Sequence, residues 1–358
     1  MPGDPGPGRL DQRPDGPLDQ LSIYVLPGRT NQPAVGLLEA RDAERAGFGS
    51  VYVSERLDMK DAAVVCGAIV GVAPSLRVGT ALVHQGTRHP LSLATMGATL
   101  QSLTGGRFVL GLGRGLGALA PSMGVPKATL ASLEHLVSVM RRLWSGERIS
   151  EDGPAGSFHR LRFTDVPTLP PPPVLLGTVG PKGLALAGRA FDGAILHPFL
   201  TNEAVAASVG VVRQAAMAAG HDPASAHIVA TLVAAPDLTE ERVGIAVRAR
   251  AVSYFQVRGL GEQLVSWNGW DPAVLNRLRE HPTLAGKGIA DTALTRDRLV
   301  DSSTALPDEW YATAATVGTA RECSDRVREL LAAGADEVLI HGASPAEASG
   351  LAAAFRAG

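Results

Sequence analysis

The stretch LRVGTALVHQGTRHPLSLATMGATLQSLTGGRFVLGLG, residues 76–113, holds two short apolar runs, LRVGTALV and RFVLGLG, on either side of a longer apolar segment. That segment, HPLSLATMGATLQSL, begins at Pro90, a residue whose fixed φ and missing N–H suit the first turn of a helix. The stretch therefore reads as strand, helix, strand. The same alternation runs upstream, where LSIYVLP and SVYVS are strands, AVGLLEARDAERAG is a helix closed by Gly47, and DAAVVCGAIVGVA is a second helix. ATLASLEHLVSVMRRLW adds a fourth helix downstream. Repeated βα units with apolar strands imply a parallel sheet, either a closed (β/α)₈ barrel or an open doubly wound sheet.

The segment SGERISEDGPAGSFHRLRFTDVPTLPPPP breaks the rhythm and reads as a hairpin-like insertion at about 147–172. Alternation then resumes through VLLGTVG, PKGLALAGR, DGAILHP, a helix from Thr201 to Gly220, and HIVATLVAA. Residues 239–316 look mostly helical and form a second insertion, after which one more helix and the strand EVLIHG close the chain. The count comes to about eight strands, the number that closes a TIM barrel. The expected architecture is an α/β single domain over 21–358, a TIM barrel with insertions. It is preceded by a Pro-, Gly- and Asp-rich tail over 1–20, expected to be disordered.

A hydrophobic content of 45%, a mean hydropathy of +0.11 and a net charge of −2 describe a globular chain with a large core and no basic stripe. Nucleic-acid and membrane partners are therefore not expected. The two cysteines, Cys66 and Cys323, have no CxxC or Cys/His spacing around them. The N-terminus lacks the charged-then-apolar order of a signal peptide, and the expected location is the cytoplasm. Only four of the 33 basic residues are lysines, the bias of a GC-rich host.

In a barrel the chemistry lies at the carboxyl ends of the strands. Polar residues gather there: Ser54-Glu55-Arg56, His84-Gln85, Arg114, Thr178, His197 and His341. A histidine at a strand end is more often a hydrogen-bonded structural residue, and singly His197 and His341 keep that reading. Their convergence with Glu55, Arg56 and Arg114 points to a site. His89 reads as a helix-entry residue. No metal is expected, because no two His, Asp or Glu candidates share an i, i+4 helix face in the HExxH manner and the strand-end histidines lack a clear carboxylate partner. No GxSxG elbow exists for a covalent hydrolase. In GTVGPKGLALAG the Gly180-Pro181 turn opens a helix whose free N–H groups, with Lys182, form a possible phosphate cradle. GLGRGLG only approximates a dinucleotide fingerprint and lies at the fourth strand.

The order of AERAGFGSVYVSERLD, LTGGRFVLGLGRG, PPPPVLLGTVGPKGLALAGRAFDGAIL and ATVGTARECSDRVRELLAAGADEVLIH resembles the luciferase-like monooxygenase superfamily, especially its deazaflavin (coenzyme F420)-dependent oxidoreductases of actinobacteria. The resemblance implies a bacterial luciferase-like TIM barrel with a flavin or deazaflavin ring over the strand ends. It places a non-proline cis peptide at Ala81-Leu82, next to Thr80, and the cofactor phosphate on Thr178, Val179, Gly180, Pro181, Lys182 and Gly183. It implies an acidic cofactor neighbour at Glu55. In flavin-using members an RGL after the fourth strand gives an arginine to the FMN phosphate, matched here by Arg114-Gly115-Leu116. In the deazaflavin sugar-phosphate dehydrogenases, the position of Leu116 holds an acid and that of Arg56 a catalytic histidine; this chain departs at both.

The resulting expectation is hydride transfer with F420, Glu55 and Arg56 orienting ring or substrate and His84 or His197 donating the proton. An FMN-dependent monooxygenase using O₂ is the alternative, as is a barrel that binds a cofactor without turning it over, or a cofactor-free lyase or isomerase barrel. The resemblance also implies a homodimer acting on a small-molecule substrate.

Overall fold

Eight parallel strands close on themselves in this computed structural model, which describes residues 18–26, 30, 32–56, 59–115, 117 and 120–358. The strands are β1 (Leu18–Val25), β2 (Phe48–Val53), β3 (Arg77–Thr80) with its continuation β4 (Val83–His84), β5 (Phe108–Gly113), β8 (Val174–Thr178), β9 (Gly193–Leu196), β10 (His227–Pro236) and β12 (Glu337–Gly342). Pairing runs in chain order from β1 to β10, then through β12 back to β1, which is closure of a barrel. The helices α1 (Val35–Ala46), α2 (Ala62–Val70), α3 (Pro90–Leu103), α4 (Leu130–Trp144), α5 (Pro181–Ala190), α6 (Asn202–Ala218), α14 (Ala320–Ala332) and α15 (Ser349–Ala357) follow the strands.

Between them, β6 (Ile149–Gly153) and β7 (Gly156–Leu161) form the antiparallel hairpin. The segment after β10 contains α7 (Glu240–Val243), α8 (Ala249–Phe255), α9 (Leu260–Asn268), α10 (Ala273–Glu280), α11 (Ala290–Ala293), α12 (Arg296–Val300) and α13 (Asp308–Ala314). A π-helical turn over Gly244–Arg248 joins α7 to α8. The chain then returns through β11 (Ala315–Gly318), a strand absent from the sequence reading. β10 pairs with β9 over His227–Ala230 and with β11 over Val233–Pro236, so β11 occupies the edge left where β9 stops.

One inward residue per barrel strand builds the interior: Tyr24, Tyr52, Ala81, Val109, Leu175, Ile195, Val229 and Leu339 pack as a cluster separate from the larger core between strands and helices. Glycines make room for the largest of them. A Cβ on Gly79 would lie 2.5 Å from the Tyr52 ring. One on Gly177 would lie 2.1 Å from Leu82, and one on Gly113 would lie 2.7 Å from it. The glycines of RFVLGLG and VLLGTVG thus serve the packing of Leu82 across the barrel.

Three expectations are adjusted. The tail read over 1–20 ends earlier, because Leu18 donates to Gly47 O (2.9 Å) and pairs with Phe48 as the start of β1; residues 1–17 lie outside the described residues. The third strand, read as one run, is interrupted at Ala81-Leu82, where the cis peptide implied by the resemblance is found. Its neighbours still bridge the break, with Ala81 N–H donating to Val53 O (2.9 Å) and Glu55 N–H to Leu82 O (3.1 Å). Thr80, named for the cofactor, is fully buried, and its hydroxyl donates to Gly111 O (3.0 Å) and accepts from Gly111 N–H (2.9 Å), so the side chain clamps β3 to β5.

At the amino end of the barrel a polar plug surrounds Glu337, whose carboxylate meets His227 Nε2 at 3.0 Å, the Tyr52 hydroxyl at 3.4 Å and Arg77 at 3.7 Å. Burial works to raise the Glu337 pKa, but the His227 hydrogen bond and the Arg77 charge outweigh it and hold the carboxyl below its usual range. A depressed carboxyl stabilises the fold above its unfolded pKa, and that contribution is lost as pH falls through the folded value. Glu337→Gln is therefore expected to cost about 1–3 kcal/mol near neutral pH. Its stability should also fall less steeply on acidification than the wild type's, as read from urea unfolding at a series of pH values. An unchanged acid limb would remove Glu337 from this role.

Candidate active site

Three groups of side chains stand at the carboxyl end of the barrel. The first hangs on Glu55, just past β2. Its side chain is 1% exposed, accepts from Arg88 Nε (3.2 Å) and Nη2 (2.7 Å), and takes the His84 N–H at 3.0 Å. Arg88 also reaches Asp61, the N-cap of α2. The carboxylate therefore fixes the 84–88 loop, a use of Glu55 different from the cofactor contact expected of it. His84 is held over Gly115, where a Cβ would lie 2.5 Å from Nδ1. Gly115 has φ +68, which glycine adopts without strain. Burial lowers the His84 pKa, so the ring is neutral at physiological pH. Arg114 stands exposed beside it, and Leu116 lies outside the described residues.

The second group is the start of α5. Gly180, with φ +85, is its N-cap and Pro181 its first residue, and no side chain among the described residues caps the turn. The first-turn N–H groups of Lys182 and Gly183 thus remain available beside Thr178 and Val179. Gly183 is required by closeness: a Cβ there would lie 1.9 Å from Thr178 Oγ1. An uncapped helix start packed this tightly under a strand end suits a phosphate, and it fits the phosphate-bearing cofactors implied by the sequence.

The third group lies where β9, β12, β1 and the late insertion meet. His341 is 6% exposed, and Arg250 of α8 donates from Nη1 to its Nε2 at 2.6 Å. An accepting Nε2 puts the ring proton on Nδ1, which has no hydrogen-bond partner among the described residues. Burial, reinforced by the charges of Arg250 and Arg296, pushes the His341 pKa well below its ordinary value and keeps the ring neutral. Tyr254, one turn after Arg250, places its hydroxyl 3.3 Å from the same Nε2 and its ring 4.7 Å from that of His197. Tyr24 lies 4.4 Å from the His341 ring and donates to Ala81 O at 3.0 Å, tying this group to the cis peptide.

His197 directs Nδ1 at Pro198 O (2.9 Å), which assigns its proton there and leaves Nε2 as an acceptor. Burial takes its pKa down to about 4. The expected proton donor is thus, in this geometry, a neutral base. Arg56 binds Asp291 (2.7 Å), and Arg296 lies 3.6 Å from the other carboxylate oxygen. Burial opposes ionisation of Asp291, but the charges of Arg296, Arg56 and Arg250 prevail and depress its pKa. With its amide turned to donate to Gly288 O (3.1 Å) and accept from Ala290 N–H (3.1 Å), Gln256 anchors this segment beneath α8.

Of the residues expected from sequence, Arg56 and His197 join the third group, Glu55, His84 and Gly115 share the first, and Thr178–Gly183 make the second. Arg250, Tyr254, Asp291 and Arg296 were missed, since the late insertion offers no periodic pattern. Tyr24 was within reach, as the inward alternate of Ser22 in LSIYVLP. Among the described residues no group of His, Cys, Asp and Glu has the arrangement of a metal site, and no helix is long and apolar enough to cross a membrane.

Comparison with known proteins gives consistent results. The chain is 25% identical over 305 residues to 5,10-methylenetetrahydromethanopterin reductase of Methanolobus tindarius, covering 84% of this chain and 87% of that one. It is 34% identical over 197 residues to the F420-dependent hydroxymycolic acid dehydrogenase of Mycobacterium tuberculosis, covering 51% and 54%. Among solved structures, the coenzyme F420-dependent tetrahydromethanopterin reductase of Methanopyrus kandleri superposes with a TM-score of 0.75 at 18% identity, covering 93% of this chain and 97% of that one. The same fold is thus retained where little sequence is shared. Residues 27–337 match the luciferase-like monooxygenase family, and the chain belongs to that family.

Proposed function

We propose that this chain is a coenzyme F420-dependent oxidoreductase that moves a hydride to or from a small organic substrate, as a cytoplasmic homodimer in an actinobacterial host. The observation that carries the reading is the uncapped start of α5, tight beneath Thr178, at the mouth of a luciferase-like barrel. The F420 dependence of the mycobacterial dehydrogenase and of the Methanopyrus kandleri reductase supports the choice of cofactor. When bound, F420 supplies a two-electron hydride acceptor or donor.

The chain's own residues would do the rest. The N–H groups of Lys182 and Gly183 would hold the cofactor phosphate, with Thr178, Val179, Gly180 and Pro181 shaping the turn. The Ala81-Leu82 segment, buttressed by the Tyr24 hydroxyl, would set the floor of the site. His197 Nε2 is placed to accept a substrate proton, and the His341 Nδ1–H to donate a hydrogen bond to a substrate oxygen. Arg56, locked to Asp291, would orient the substrate.

An FMN-dependent monooxygenase is the second reading, favoured by Arg114, which stands exposed at the end of β5 where the resemblance expects a phosphate contact. Parallel calorimetric titrations with F420 and FMN, each oxidised and reduced, separate the two. F420 is expected to bind at micromolar concentration or tighter and at least tenfold better than FMN. The reverse order would move the protein to the monooxygenases, and binding of neither would end the oxidoreductase reading.

A further inference from the structure

Two residues past His197, the chain adopts a conformation that its side chain does not favour. Phe199 has φ +63, in the left-handed region where a Cβ crowds the backbone. A bulky residue stays there only where its surroundings hold it. Its buried ring packs against Phe255, with centroids 5.7 Å apart, but that contact does not choose a φ. One amide does. Asn268, the last residue of α9, donates from Nδ2 to Phe199 O (2.9 Å) and accepts the Thr201 N–H at Oδ1 (3.0 Å). A carbonyl needs a donor and an N–H needs an acceptor, so these partners fix which way the amide faces. The helix that carries it is anchored in turn. Gly269, with φ +70, closes α9, and Trp267 donates to Ser208 Oγ (2.8 Å) and Ala204 O (3.2 Å) of α6.

The Pro198 carbonyl belongs to the planar unit between residues 198 and 199, whose orientation follows from ψ of Pro198 and φ of Phe199. The left-handed φ therefore decides where Pro198 O points, and it points back at His197 Nδ1, 2.9 Å away. We propose that Asn268 is a positioning residue for proton transfer: by holding Phe199 left-handed it aims Pro198 O at His197 Nδ1 and keeps Nε2 free to accept. The inference rests on the proposed function for the use of Nε2, though not for the proton's place on the ring. Without the amide, φ of Phe199 relaxes to negative values and the 198–199 peptide turns. His197 then loses the acceptor that fixed its proton, and a ring protonated at Nε2 donates where a base is needed. Tyr254 does not replace that control. Its ring meets His197 edge-on at 4.7 Å, and its hydroxyl is 3.3 Å from His341, so it fixes the place of the His197 ring and not its tautomer.

The test is nitrogen-15 NMR of histidine-labelled protein without cofactor, with the His197 signals identified by their loss in His197→Gln. Asn268→Asp is the informative variant, because it keeps an acceptor for the Thr201 N–H and sets an oxygen against Phe199 O. Trp267→Phe is the control, since it loosens the same helix and leaves the amide in place. In the wild type the Nδ1–H form of His197 is expected to exceed the Nε2–H form at least tenfold. Asn268→Asp should lower that ratio fivefold or more, whereas Trp267→Phe should lower the urea midpoint and leave the ratio within twofold. A wild-type proton on Nε2, an unchanged ratio in Asn268→Asp, or an equal change in Trp267→Phe overturns the proposal.

Should Asn268→Asp fail to fold, Asn268→Ser, which removes both bonds without adding a charge, takes its place in the same spectrum. Hydrogen exchange at the wild-type Thr201 amide needs no variant. It should be slowed at least a hundredfold relative to an unstructured chain, and the absence of protection would mean that the clamp does not form. F420 is titrated in parallel, and its affinity for Asn268→Asp should stay within threefold of wild type. A larger loss would give Asn268 to the cofactor and end its positioning role. If F420 fails to bind the wild type while the tautomer responds to Asn268→Asp, the clamp stands and the cofactor reading falls.

Discussion

Gly183→Val is expected to weaken F420 binding at least a hundredfold while the barrel still folds. At this position even a methyl group would lie 1.9 Å from Thr178 Oγ1, far inside contact distance. The first turn of α5 must then move away from β8, or Thr178 must turn into the space above it. Either change disorders the N–H groups that form the phosphate cradle. A hundredfold loss is about 2.7 kcal/mol, a reasonable share for charge-assisted hydrogen bonds to a phosphate. The accompanying loss of stability should be about 1–3 kcal/mol, the ordinary cost of overpacking. Gly210→Ala is the control, because it lies in a helix with nothing within 4 Å of the added methyl. Calorimetry on both variants decides the matter. F420 affinity within threefold of wild type in Gly183→Val would remove the start of α5 from the binding site.

The barrel was legible because its strands are short, buried on both faces and therefore nearly continuous in apolar character, as in SVYVS or EVLIHG. The details that escaped share one physical feature, an absence of periodic signal. The residues of LRVGTALV carry no mark of the interruption at Ala81-Leu82, which only the resemblance located, since both neighbours go on pairing with β2 across it. β11 is four residues long and only partly buried, and its partner edge exists only because β9 ends early. Leu18 joins β1 although Asp19 and Gln20 are exposed, so polarity there read as tail.

The site divides in the same manner. Strand-end residues such as Arg56 and His341 could be listed from the sequence, but their roles depend on partners 235 and 91 residues away in the chain. Arg56 needs Asp291, and His341 needs Arg250 to set its tautomer. Those partners lie in a helical insertion whose residues are chosen by the pocket they close. Glu55 was legible as a strand-end carboxylate, yet its function turns on Arg88, a residue that sequence gave no reason to pair with it.

That pairing leads to the second large effect. Glu55→Ala is expected to cost about 3 kcal/mol of stability, at the lower end of the range for breaking a buried ion pair. The lower end applies because Arg88 is 20% exposed and keeps Asp61 at 2.6 Å, so its charge is not stranded. What is lost outright is the acceptor for the His84 N–H and for Arg88 Nε. The 84–88 loop should then loosen, and hydrogen exchange at the His84 amide should quicken far more than at Gly111, which stays clamped by Thr80. Because His84 packs on Gly115, the disturbance should reach the end of β5 and weaken cofactor binding severalfold. Glu55→Gln separates charge from geometry: the amide can still accept the His84 N–H, so exchange there should stay slow while part of the stability is lost. Urea unfolding of Glu55→Ala, Arg88→Ala and the double variant gives the coupling between them, which should exceed 1 kcal/mol. A coupling near zero, with the His84 amide still protected, would mean that the loop is held by its own backbone and that Glu55 is free for the cofactor contact first expected of it.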